Sequence, residues 1–292
     1  MRERDVFVSA AKELGAEVNV QNANGDVQDQ ISQIEYFIRK QVDVIVVVAG
    51  DCEALTDVMI KAREAGIKTV SYDRLIQNAG CDLYISFDNT EVGRLMARSL
   101  LENIPDGGDI FLIQGPLTDH NVTLVREGID ETLAGSSLSV VYESNCAGWV
   151  AENAYTYTKE GLKQDRYVKG IICGNDDLAS QAFRALSEER LAGKVYVTGQ
   201  DGDLAACQRI VEGTQEMTAF KSVEQEASMA AKCAVLLGLG EEIEEARSTA
   251  YDGTYQVPYL ELQPIAVTGE NMDEVIIKGG FHAKEDVYLN VN

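Results

Sequence analysis

Several apolar runs in this chain break off abruptly into carboxylates, amides and cations. In the first half they end at Tyr72-Asp73-Arg74 and Phe87-Asp88-Asn89; in the second, at Gly174-Asn175-Asp176 and Gln200-Asp201. Such groups suit a ligand rich in hydroxyls. A hydroxyl donates and accepts, a carboxylate accepts, Arg and Lys donate, and Asn does both. Asp73, Arg74, Asn121, Arg126, Asn175, Asp201 and Lys221 together form a mixed set of this kind. Trp149, the only tryptophan, follows Gly148 in a loop ahead of a helical stretch. Its flat apolar face could cover the C–H face of a sugar ring; a partly buried core Trp accounts for it equally well. Strand-end Asp and Asn have a second use as helix N-caps. Asp176 and Asp203, each just before a helix, read first as caps, and Asp88 or Asn89 reads the same way. Asp73-Arg74 and Asp201 fit less simply as caps, because several residues separate them from clean helical periodicity.

Covalent chemistry has little to stand on. The chain carries no GxSxG elbow, no GxxxxGK[ST] loop, no HExxH and no GxGxxG after a strand. Gly238-Leu239-Gly240 follows a helix and reads as its C-cap. His120 and His282 are the only histidines, and His120 has no candidate nucleophile near it in sequence. Among the many Asp and Glu, nothing singles out an acid/base pair. Six cysteines are scattered without a CxxC pair or a flanking His, so a zinc site is not expected and they read as small buried hydrophobes. Neither metal nor cofactor is implied.

The elements that must carry these groups alternate strand and helix. Residues 42–48 (VDVIVVV) are apolar and β-branched, as in a strand covered on both faces. Leu55, Val58, Met59 and Ala62 follow at helical spacing and Gly66 stops that helix. Further strands are expected at 17–21, 67–72, 82–87, 109–114, 138–142, 167–173, 194–198, 216–220 and 259–266. Helices are expected at 4–14, 27–40, 54–65, 90–103, 120–134, 150–163, 177–190, 203–212 and 222–238. This alternation predicts parallel sheets with helices on both faces. In such sheets, ligands bind outside the carboxyl ends of the strands, where the polar groups above fall. The stretch from Val42 to Asp73 is echoed in element order and length by the stretch from Val168 to Asp201, as two similarly wound halves would produce.

At 292 residues the chain is long enough for two domains, and 45% hydrophobic content excludes general disorder. Its 25 basic and 48 acidic residues leave a net charge of −23, which repels phosphate backbones and argues against nucleic acid. No run approaches the roughly 18 apolar residues of a membrane span.

Longer segments carry a resemblance. They are Gln21-Asn22-Ala23-Asn24-Gly25, Ser71-Tyr72-Asp73-Arg74, Tyr84-Ile85-Ser86-Phe87-Asp88-Asn89, Gly148-Trp149 with Glu152-Asn153-Ala154, Gly174-Asn175-Asp176 and Thr198-Gly199-Gln200-Asp201-Gly202-Asp203-Leu204. Gly213-Thr214-Gln215, Met217-Thr218 and Lys278-Gly279-Gly280-Phe281-His282 extend it to nearly the whole chain. In these the sequence resembles the D-xylose-binding group of the type I periplasmic substrate-binding proteins. The resemblance implies an α/β fold of two doubly wound parallel-sheet lobes joined by a hinge, closing around one monosaccharide without a covalent step. It implies sugar contacts at Asp73 and Arg74 in one lobe, and at Asn121, Arg126, Trp149, Asn175, Asp201 and Lys221 in the other lobe and hinge. Asp119 is a further possible contact. The expected lobes are residues 1–114 with 247–268 and residues 115–246 with 269–292, linked by three crossings.

The same resemblance implies an extracytoplasmic receptor, periplasmic or lipid-anchored, that hands D-xylose or a similar pentose to an ABC importer permease. A membrane sensor kinase is the alternative partner. The effector domain of a sugar-responsive repressor shares the fold, but the acidic balance and the lack of a helix-turn-helix oppose it. Members of the group begin with a strand and a loop carrying an Arg and a Trp, whereas Met1-Arg2-Glu3-Arg4-Asp5 reads as lying inside the first helix. The first strand of lobe 1, those two contacts and a secretion signal are therefore expected to be missing.

Overall fold

The computed structural model describes residues 2–291, and strand and helix alternate through nearly all of them. Contacts divide the chain into two α/β units. One comprises the residues through Asp88, Thr118–Asn121 and Ser222–Gln263; the other comprises Asn89–Leu117, Val122–Lys221 and the residues from Pro264 on.

The first unit holds a five-stranded sheet in the order β1-β2-β3-β10-β9. These strands are β1 (Val44–Val47), β2 (Lys68–Tyr72), β3 (Leu83–Phe87), β9 (Ser248–Tyr251) and β10 (Gln256–Leu262). All neighbours are parallel except β9 and β10. Every residue of β3 is buried, because both faces of the sheet are covered. Tyr84 joins the core of Ile45, Val47, Val58 and Met59. Leu83, Ile85 and Phe87 point the other way, onto Val70, Ala230 and Cys233. The helices are α1 (Arg2–Glu13), α2 (Val27–Lys40), α3 (Thr56–Glu64) and α9 (Val223–Leu239). Asp26 caps α2 by accepting the amides of Gln28 and Asp29, and Gly240 ends α9 in the left-handed region at φ 73°.

The second unit holds a six-stranded sheet in the order β11-β8-β7-β6-β4-β5. Its strands are β4 (Gly108–Gln114), β5 (Leu138–Asn145), β6 (Gly170–Cys173), β7 (Tyr196–Gln200), β8 (Met217–Phe220) and β11 (Ile265–Val267), the last antiparallel to β8. Along β4, Phe111 and Ile113 face the core under α6 (Ala151–Gln164) and α7 (Asp176–Glu188), while Ile110 and Leu112 face the core under α4 (Asn89–Asn103). Gly93 of α4 and Gly128 of α5 (His120–Leu133) let these two helices cross closely. A Cβ on Gly93 would stand 2.0 Å from the Val125 carbonyl oxygen, and one on Gly128 would stand 1.9 Å from that of Thr90. A third core joins Cys207 and Ile210 of α8 (Leu204–Val211) to Phe220, Val267, Ile276 and Val287 of α10 (Lys284–Val287).

The echo between the halves corresponds to β1-α3-β2 in one unit and β6-α7-β7 in the other, each with its two strands adjacent and parallel. All six cysteines are free and buried, as small core residues. No helix among the described residues is long and apolar enough to cross a membrane.

Three expectations are corrected. The lobe boundaries move: β4 takes β5 and β6 as neighbours, so 89–117 belong to the second unit, and α9 packs on the first sheet, so 222–246 belong to the first. Residues 264–268 also join the second unit, through the pairing of β11 with β8. The chain passes between units after Asp88, Lys221 and Gln263, with a short return at Thr118–Asn121. Second, residues 17–21 belong to no strand, and among the described residues β1 has a strand partner only in β2. A strand pattern without a neighbour to bond leaves the backbone irregular. Third, the cap of α7 is Asn175, not Asp176, and Asp203 at the start of α8 makes no side-chain cap bond.

Candidate functional site

In the first unit, β2 delivers Asp73 just past its carboxyl end in the left-handed region, at φ 59°. Surrounding bonds impose that conformation. The Asp73 amide donates to the Ile85 carbonyl at 2.8 Å, and its own carbonyl accepts from Ser86 Oγ at 2.7 Å and Asn121 Nδ2 at 3.1 Å. Arg74 is anchored by a 2.9 Å contact from Nε to Asp119 Oδ2 and by Nη1 donating to the Ala49 carbonyl at 3.1 Å. Asp119 is buried, and its other oxygen accepts the Asn121 amide at 3.1 Å. A buried carboxylate needs a counter-charge and donors, and Asp119 has both. Asp73, Arg74, Asp119 and Asn121 thus form one connected polar cluster, with Asp73 and Arg74 about a fifth to a quarter exposed.

In the second unit the groups stand at the carboxyl ends of β6, β7 and β8. Asn175 follows β6 and spends its Oδ1 on the Leu178 amide at 2.9 Å, so its Nδ2 is the group that remains for a ligand. Asp201 follows β7 at φ 100°, its amide donating to the Ala219 carbonyl at 3.0 Å. Lys221 follows β8 with its ammonium 3.9 Å from Asp201 Oδ1, so a cation and a carboxylate stand side by side at the ends of neighbouring strands. Trp149 closes a single 3₁₀ turn, also in the left-handed region at φ 57°. Its ring lies against Gly115, where a Cβ would come within 2.3 Å of the indole. The side chain is half-buried at the margin of the core that contains Cys146 and Ala154.

Arg126 is not drawn into this group. Its Nε donates to Asp130 one turn along α5 at 2.8 Å, and its Nη1 donates to Glu143 of β5. Sequence reading also missed Gly115, whose lack of a side chain seats the Trp149 ring. Its only signal was a glycine directly after the apolar run of β4.

Residues 2–242 match the family model described as a periplasmic binding protein domain. The chain belongs to the periplasmic binding protein family. It is a binding protein of a transport family, not an enzyme. It is 43% identical over 292 residues to the D-xylose-binding periplasmic protein of Haemophilus influenzae, covering 98% of this chain and 87% of that one. It is 40% identical to the D-xylose-binding periplasmic protein of Escherichia coli, with 98% and 88% covered. Among solved structures, an ABC transporter solute-binding protein from Clostridium phytofermentans with bound β-D-glucose superposes with a TM-score of 0.89 at 25% identity. That match covers 98% of this chain and 95% of the other.

Proposed function

We propose that this protein is an extracytoplasmic receptor for D-xylose that delivers the sugar to an ABC importer. Asp73 and Asp201 accept sugar hydroxyls, Arg74, Asn175 and Lys221 donate to them, and Trp149 covers the ring. Asn121 and Asp119 hold the first of these clusters in shape. Arg126 joins them on releasing Glu143, an exposed pair that costs little to break. One observation carries the reading most: Asp73, Trp149 and Asp201, three of the expected contacts, all hold left-handed backbone. Strain of this kind gathers where a side chain must be aimed. The similarity to two D-xylose-binding periplasmic proteins at 40% identity or more supports the pentose. The solute-binding protein with bound glucose supports an importer, rather than a sensor kinase, as partner.

Because the chain has a single tryptophan, its emission reports on the sugar directly. Titration with D-xylose is expected to give a saturable fluorescence change. Emission that D-xylose leaves untouched would contradict the placement of Trp149 on the ring.

A further inference from the structure

Asp176 is wholly buried at the start of α7, and nothing in the sequence reading gave it more than a cap to do. Its carboxyl is instead the hub of a turn 26 residues further on. Oδ2 accepts the Gly202 amide at 3.0 Å, the Asp203 amide at 3.1 Å and the Thr218 hydroxyl at 2.7 Å. Oδ1 accepts Gln215 Nε2 at 3.1 Å, and Gln215 is held in turn by Arg209 Nε donating to its Oε1 at 2.9 Å. Thr218 Oγ1 also accepts the Gly202 amide, at 3.0 Å. From the other side His282 Nε2 meets the Gly202 carbonyl at 2.8 Å. The turn so held contains two consecutive left-handed residues, Asp201 at φ 100° and Gly202 at φ 76°. Position 202 is closed to a side chain, since a Cβ there would come within 2.7 Å of Phe220.

Burying a carboxyl is expensive, and an apolar core residue would stabilise the fold at less cost. A carboxyl is nonetheless the group that can accept two successive backbone amides, and those amides directly follow Asp201. We infer that Asp176 is a positioning residue for sugar affinity, clamping the Asp201-Gly202-Asp203 turn so that the Asp201 carboxylate stands where a hydroxyl meets it. This rests on the proposed sugar reading, because it presupposes that Asp201 is a ligand. Without the clamp the Asp203 amide loses its acceptor and the Gly202 amide keeps only Thr218 Oγ1, so Asp201 relaxes out of its left-handed conformation and its carboxylate swings away. Thr218 shares the task as the second acceptor for Gly202.

The test is a double-mutant cycle read by calorimetry with D-xylose. Asp176→Ala is expected to weaken binding about tenfold or more, whereas Asp176→Asn, which keeps an oxygen for the two amides but turns its own NH2 group toward Gln215 Nε2, is expected to lose clearly less than Asp176→Ala. Thr218→Val is expected to lose affinity in the same direction but less, and serves if Asp176→Ala does not fold. In an Asp201→Asn background, Asp176→Ala and Thr218→Val are expected to cost little more, because the side chain they aim is already disabled. A role confined to the stability of the fold would lower the melting temperature and leave affinity alone, or lose affinity additively with Asp201→Asn. Either result, with a wild type that binds and an Asp201→Asn variant that binds measurably more weakly, overturns the positioning role alone. A wild type that ignores xylose, or an Asp201→Asn variant of full affinity, overturns the sugar reading and the positioning role with it.

Discussion

Asp73, Trp149 and Asp201 each hold a conformation that costs a non-glycine residue about 1–3 kcal/mol. At Asp73 and Asp201 named backbone bonds offset that cost, so the side chains emerge from their strands already aimed. Trp149 has a different support, the bare backbone of Gly115 beneath its ring. Replacing the indole removes the apolar ring face but touches only the margin of the core. Trp149→Ala is therefore expected to weaken xylose binding by about 1–3 kcal/mol, the range of an aromatic anchor, while the protein still melts cooperatively. Calorimetry and a thermal melt check the two halves; unchanged affinity would make Trp149 a packing residue. At this scale the sequence was legible in residue type more than in role. Asp73, Asp201 and Lys221 were visible because apolar strands end at them. The cap of α7 was given to Asp176 in place of Asn175 because two adjacent polar residues precede one helix, and only packing decides which of them caps. The Arg126 pairing with Asp130 follows from i,i+4 spacing on α5 and went unread, while the pairing with Glu143 could not be seen, since Glu143 is brought near by β5 and not by sequence.

The elements owe their legibility to periodicity. Continuous β-branched runs gave β1 and β2 to within a residue or two, and α2 was bounded by Asp26 at one end and Gln41 at the other. Periodicity does not supply neighbours, which is why 17–21 reads as a strand and is none. Short β9 (STAY) was missed because its residues are mostly exposed and show no apolar alternation. The crossing of α4 and α5 is a second feature set by packing, since two glycines bring backbone onto backbone there. Gly128→Ala must push α4 away from α5 over the core of Met96, Leu112 and Val125. We expect it to destabilise the fold by about 1–3 kcal/mol, the usual cost of overpacking. Denaturant melts would show this as a lowered midpoint; a midpoint equal to wild type would mean the crossing is soft.

For the whole molecule, the buried Asp176 carboxyl links pH to stability. Burial pushes the Asp176 carboxyl up to about 8, against the hydrogen bond from Thr218, which lowers it. The unfolded chain releases that proton near the ordinary value of 3.8. Between those values the folded state binds the extra proton, so this group's contribution is fully present at low pH and is lost as pH rises toward and through about 8. Asp176→Asn has no proton to lose. Its melting temperature relative to wild type is therefore expected to climb from about pH 5 to about pH 9. A difference that stays constant over that range would contradict the burial argument.

The choice of ligand is the central claim. Its most direct test is calorimetric titration of the protein with D-xylose, D-ribose and D-glucose in parallel. On the proposed reading D-xylose is expected to bind at one site per chain and far more tightly than the other two, because a buried polar group left unpaired penalises the wrong sugar. Equal or tighter binding of glucose, or heat from none of the three, would contradict it.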